Sequence, residues 1–241
     1  MTSAPVRFLI TAAATLSVGA CTCESVSSEN VKTSGLLADF EATASGDGKT
    51  GVKATLRMSR TSLTFVELSG GDVLTASAGG APVTMDRRRL LGSTWYEAEL
   101  PTDIAGTVVR VAFTRAAETS APESSVSLPA SFTLTAPTEN QSVSRAAGPL
   151  LVSWQGGGQS DELRLGASGS CIDTLTETVL PTDSGSHQLA AFTARKNQET
   201  SSCDVTVTLK RVRRGTVDPA FGLGGDFTAS VVRQVRMTST P

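Results

Sequence analysis

Apolar and polar residues alternate with a period of two through most of this 241-residue chain, and that pattern leaves little room for any architecture but a β one. Val52, Ala54, Leu56 and Met58 alternate with Lys53, Thr55, Arg57 and Ser59, so an extended segment gains one apolar and one polar face. Val109, Val111 and Phe113 alternate in the same way with Arg110, Ala112 and Thr114. Between them lie Leu63–Leu68, Val73–Ser77, Pro82–Met85 and Trp95–Leu100, each bounded by Gly, Pro, Asp or Ser-Gly. Further strands are expected at Asp161–Leu165, His187–Phe192, Val205–Val212 and Phe227–Met237. Beyond the N-terminal leader no long stripe of helical period carries a cap, and at most a short helical turn fits near Ala190–Asn197. The expected fold class is all-β.

Charge and composition narrow the function. With 21 Lys and Arg against 23 Asp and Glu, the formal net charge is −2, too balanced for a nucleic-acid partner that depends on clustered cations. Ser and Thr make up 61 residues, about a quarter of the chain, and suit outward strand positions and turns. A composition of 39% hydrophobic residues still supports a core.

Two breaks divide the pattern. Residues 21–34 are polar, Ser-rich and without periodicity, and read as a flexible tether. Residues 118–127 read as a linker, leaving β-sandwich domains at 35–117 and 128–241. The second opens with Leu128-Pro129-Ala130-Ser131-Phe132-Thr133-Leu134-Thr135-Ala136-Pro137 and continues with Leu150-Leu151-Val152-Ser153-Trp154. A strand ending at a proline, a polar turn and a strand with a buried tryptophan resemble the opening of immunoglobulin-like and fibronectin-like bacterial sandwich domains. That resemblance covers the second segment, and the short, closely spaced strands of the first suggest a sandwich there too, so two β-sandwich (immunoglobulin-like) domains are expected.

The first 20 residues read as an export leader. After Arg7, thirteen uncharged residues from Phe8 to Ala20 are too few for a span of about 20 and fit the apolar core of a signal peptide. The run ends in Val18-Gly19-Ala20-Cys21, which resembles the lipobox of bacterial lipoproteins. The resemblance implies cleavage before Cys21, diacylglycerol on its thiol and attachment to a cell-envelope membrane. Thr22 is not the usual inner-membrane retention signal, so an outer-membrane address, on the periplasmic or surface face, is favoured. In that oxidising setting Cys171 and Cys203 are expected to form one disulfide. Neither has a Cys or His neighbour at ligand spacing, so no metal site is expected.

Motifs with chemical meaning are few. Gly46-Asp47-Gly48-Lys49-Thr50-Gly51 matches G-x-G-x-x-G, but a strand follows where phosphate binding needs a helix, and Asp47-Gly48 suits a hairpin turn. His187 is the single histidine, so any Ser-His or Cys-His mechanism must use it; no nucleophile elbow accompanies it, and it reads as a surface residue on a loop entering a strand. Glu97 and Glu99 share one strand face and could serve a glycosidase or calcium, or form a solvated acidic face. Asp86-Arg87-Arg88-Arg89 and Lys210-Arg211-Val212-Arg213-Arg214 read as a hairpin end and a solvated edge strand, with anionic headgroups or glycans as the alternative. Gly215–Gly225 resembles one copy of a short propeller repeat and reads as a turn-rich connection. Trp95 and Tyr96 must point to opposite faces, and Trp154 belongs in a core.

These readings describe a lipid-anchored envelope protein without catalytic residues or cofactor, acting as a structural or protein-interaction module. A glycan or small-ligand binding module is the second reading, and a hydrolase using the acidic face the third.

Overall fold

The computed structural model describes residues 25–157, 159–190 and 192–241. The leader and Cys21 lie outside them. The first half contributes β1 (Ser25–Ser27), β2 (Leu37–Ala44), β3 (Thr50–Arg57), β4 (Phe65–Glu67), β5 (Val73–Ser77), β6 (Val83–Thr84), β7 (Asp86–Leu90), β8 (Ser93–Leu100), β9 (Val108–Thr114) and β10 (Ala121–Ser127). The second half contributes β11 (Thr133–Ala136), β12 (Ser142–Ser144), β13 (Leu150–Gln155), β14 (Glu162–Gly169), β15 (Leu175–Val179), β16 (Ser186–Leu189), β17 (Cys203–Arg214) and β18 (Gly225–Thr240). Among the described residues the only helical pieces are three short 3-10 turns, so the all-β expectation holds. No helical turn forms at the described residues of 190–197.

One large sheet runs β1-β4-β3-β2-β18-β17-β14-β15, with β8 and then β7 added at β3, and β12 added at β18. A four-stranded sheet, β10-β9-β5-β6, shares the first hydrophobic core with β2, β3 and β8. A three-stranded sheet, β11-β13-β16, shares the second core with β14, β17 and β18. Each small sheet therefore forms a sandwich with part of the same large sheet. Alternation does the work along each strand: Val52, Ala54 and Leu56 are buried and Lys53 is exposed, as expected.

The 16-residue β18 joins the two cores. Its first part lies parallel to β2, with Phe227 beside Phe40 and Ala229 beside Ala42, while Val231, Val235 and Met237 enter the second core. The connection before it contributes as well. Phe221 sits 6.0 Å from both Phe40 and Phe113 by ring centroid, and Phe40 sits 5.4 Å from Phe227. Gly215–Gly225 is thus more than a connection, because its middle plugs the first core. Gly225 has φ 147°, and a Cβ there would lie 1.8 Å from the Ala38 carbonyl oxygen, which explains the glycine at the start of β18.

Three assignments made from the sequence need correction. Residues 25–34 are not a tether: β1 pairs with β4, and Ser28 and Thr33 are buried. The buried Arg115 guanidinium holds them, donating to the Ser28 carbonyl at 2.6 Å, the Val31 carbonyl at 2.9 Å and Thr33 Oγ1 at 3.1 Å. The 118–127 segment is not a linker, since β10 pairs with β9 along most of its length and buries Ala121, Ser124 and Val126. The Lys210–Arg214 run is not on a solvated edge: β17 lies between β14 and β18, and Arg211 is 0% exposed.

Candidate functional site

The outer face of β3, β8 and β7 gathers more chemically versatile side chains than any other described surface singled out by the sequence. Register dictates the gathering: Lys53 lies opposite Glu97, and Asp86 and Arg88 lie opposite Glu97 and Trp95. Alternation on β8 turns Trp95, Glu97 and Glu99 outward and Tyr96 inward, where Tyr96 is buried. A shallow concavity of about 410 Å³ is lined by Lys53, Asp86, Arg88, Glu97 and Glu99 among others. A second, also about 410 Å³, lies beyond Lys53 and Trp95 and is lined by Phe65, Leu90 and Leu91.

The carboxylates here are engaged by cations. Glu99 pairs with Lys49 at 2.6 Å, and the hydrogen bond and charge of Glu99 raise the Lys49 ammonium above its ordinary pKa. Glu97 accepts from Arg88 Nε at 3.2 Å and from Trp95 Nε1 at 2.5 Å. Lys53 Nζ stands 5.3 Å from the Trp95 ring centroid, a cation–π geometry. Glu99 is exposed to solvent and Glu97 is partly buried. The chemistry this face offers is hydrogen bonding and ring stacking toward a polar ligand.

Behind it, Glu67 ties β4 to β7 and to the chain's first described residues. It is bonded by Arg89, lies 3.5 Å from Arg87 Nη1, and accepts from Thr94 Oγ1 at 3.2 Å. Burial alone would raise its carboxyl, but hydrogen bonds from Arg89, Ser25 and Thr94 outweigh burial and hold it below the ordinary value. Tyr96 moves the other way, raised chiefly by burial while its hydroxyl oxygen accepts from the Leu68 amide at 2.7 Å.

The remaining sequence candidates are placed apart. His187 lies on β16 opposite Val152, in the second sandwich. Gly46–Gly51 spans the β2–β3 hairpin turn, with positive φ at Gly46 and Gly48 and the Lys49 amide donating to Asp47 Oδ1, as the hairpin reading expected. Trp154 is buried and donates from Nε1 to Asp183 Oδ1 at 2.7 Å. Cys171 and Cys203 form the expected disulfide, with Cα atoms 5.7 Å apart. Among the described residues no three of His, Cys, Asp and Glu gather as a metal site.

Sequence reasoning missed the cluster around Arg211. Its guanidinium meets Asp183 at 2.6 Å and donates to the carbonyls of Ala130 at 2.7 Å and Gly156 at 2.8 Å, with the Phe132 ring centroid 5.0 Å away. Arg213 grips Asp161 through two hydrogen bonds, which raise its own pKa despite burial, and Arg233 donates to Ser131 Oγ. These three arginines pin the 128–132 crossing between the sandwiches. Nothing in a local pattern marks them, because each partner is remote in sequence.

No family model and no curated protein matches the chain. Solved structures match weakly. Chicken CNTN1 FN1–FN3 domains align at TM-score 0.28 and 9% identity, covering 91% of this chain and 69% of that one. The Yersinia pseudotuberculosis adhesin InvE aligns at TM-score 0.23 and 14% identity over 86% of this chain and 59% of its own. Surface layer protein SbsC domains 6–7 align at TM-score 0.22 and 10% identity over 85% and 99%.

Proposed function

We propose that this chain is a lipid-anchored envelope protein serving as a non-catalytic structural or interaction module. The observation that carries the reading is the way the sandwiches are joined: β18 enters both cores and three arginines pin the crossing segment. Such a joint suits a rigid body that displays surfaces at a fixed place. The lipobox resemblance at Val18–Cys21 supplies the anchor, and a singly cysteine-attached set of acyl chains binds membrane durably. Feeding cells a clickable fatty acid tests it: label is expected in the wild-type chain and absent from Cys21→Ser, and equal labelling rejects the anchor.

A second reading is favoured by the outer face of β3, β8 and β7, where Lys53 and Arg88 line one concavity and Lys53 and Trp95 line the next, a surface suited to hydrogen bonding and stacking with a glycan. Retention on immobilised envelope glycans is expected to fall at least tenfold in Trp95→Ala. Equal retention of the two proteins removes this reading.

A further inference from the structure

The β7–β8 hairpin carries features that its own folding does not call for. Its turn is Leu91-Gly92, with φ of 48° and 82°. Two consecutive left-handed residues favour Asn-Gly or Asp-Gly, and a leucine in the first place is strained. Leu90 and Leu91 are nevertheless 63% and 90% exposed. Three arginines, Arg87, Arg88 and Arg89, run up to this apolar tip with side chains about half exposed. Glu67, Glu97 and Asp86 match them in number, and Lys53 leaves this end of the hairpin with a surplus of one cation.

The position of the tip is as informative as its composition. Ser25 pairs with Phe65 in the β1–β4 ladder, and Ser25 and Arg89 both bond to Glu67. Phe65 in turn lines one concavity with Leu90 and Leu91, and Leu63, 56% exposed, precedes it by two residues. From Cys21 to Ser25 the chain spans at most about 14 Å when fully extended. With Ser25–Ser27 paired in the sheet and Ser28–Thr33 held by Arg115, a lipid on Cys21 holds this end of the first sandwich against the bilayer surface.

We infer that the Leu90–Leu91 tip, backed by Phe65, enters the interfacial layer of a phospholipid bilayer as a second contact beside the lipid on Cys21. The inference rests on the anchored reading above. The leucines exchange water for acyl chains, while the arginine stems lie along the interface and their guanidinium groups donate to lipid phosphates. Neither contact has to be strong, because the anchor keeps the hairpin at high local concentration beside the membrane.

The test uses the chain from residue 21 with Cys23→Ser, coupled through the Cys21 thiol to a maleimide phospholipid in phosphatidylethanolamine–phosphatidylglycerol vesicles. Chemical coupling makes the result independent of cellular lipidation, so missing fatty-acid label rejects the biological anchor alone. A Leu91→Trp chain is compared with Leu151→Trp, whose leucine is half exposed on β13 of the second sandwich. Brominated acyl chains are expected to quench the added indole at 91 several-fold more than the one at 151. Equal quenching overturns the inference, as does a blue shift at 91 that grows with protein density and occurs without lipid, which would place a second copy over the tip. Hydrogen exchange of the unsubstituted coupled chain guards against misfolding: amides of residues 89–93 are expected to slow at least tenfold on vesicles, and unchanged exchange also overturns it. Leu91→Asn, which suits the turn, is expected to melt no lower than wild type and to lose that slowing.

Discussion

The Arg211 guanidinium lies where solvent does not reach, and the Asp183 carboxylate it meets is as deeply buried, at 0% and 2% side-chain exposure. Asp183 also receives Trp154 Nε1, so removing the cation leaves a carboxylate inside the second sandwich with weaker support. Breaking one side of such a pair costs roughly 3–5 kcal/mol. Arg211→Ala is therefore expected to shift urea unfolding by about that amount, and a loss under about 1 kcal/mol would place the pair outside the cooperative core. Glu67 gives a pH prediction. Its carboxyl lies below the ordinary value in the folded chain, so it stabilises the fold above the unfolded pKa, and that contribution disappears as pH falls through the folded pKa. Protection of the β1 amides, taken relative to their intrinsic exchange rate at each pH, is expected to fall as pH drops below about 4. In Glu67→Gln that acid-dependent loss of protection is expected to vanish. The sequence placed Trp95, Tyr96 and Trp154 on the correct faces because alternation is a local property. It misplaced Arg211 because a buried arginine and an edge arginine look alike until their partners are known.

At the scale of elements, strands with bulky inward residues were legible and strands with small ones were not. β3 turns Val52 and Leu56 inward on either side of Ala54, and β9 turns in Val109, Val111 and Phe113, whereas β2 presents Ala38, Ala42 and Ala44 around a single Phe40. β10, with Pro122, Glu123 and three serines, resembles a linker because its burial depends on Ala121, Ser124 and Val126. The connection before β18 hides its role for a similar reason: one phenylalanine among glycines carries it. Phe221→Ala is expected to destabilise the chain by about 3–5 kcal/mol, as for a buried ring in a core. A surface-like effect, within about 0.5 kcal/mol, would contradict the plug. The disulfide spans a sequence separation of 32, and Arg145 buttresses it from Ser239 Oγ and the Ser201 carbonyl. Reduction is expected to lower stability by about 2–4 kcal/mol, with faster exchange in β14 and β17 before β5 and β9. Uniform acceleration across both sandwiches would show that the bridge acts on the whole fold instead.

The whole molecule is organised by pairings that cross nearly its full length. β2 is an early strand and β18 the last, yet they lie side by side in parallel, and the first core includes Phe221, Phe227 and Ala229. Calorimetry is expected to give one transition with calorimetric and van't Hoff enthalpies equal. A chain ended at residue 127 should show no cooperative melt by circular dichroism, because β2 loses its neighbour and the core loses two of its rings. Two separate transitions, or a folded short chain, would mean that the shared strand does not couple the sandwiches. What the sequence determined by itself was everything written in neighbouring residues: strand class, the Gly46–Gly51 turn, the facing of each β8 side chain and two cysteines free to meet. Tertiary structure alone decided that β18 serves both cores, that residues 25–34 belong to the fold and that Arg211 is interior. Period-two alternation says which side of a strand is apolar, but not which distant strand will cover it or which remote carboxylate will meet its charge.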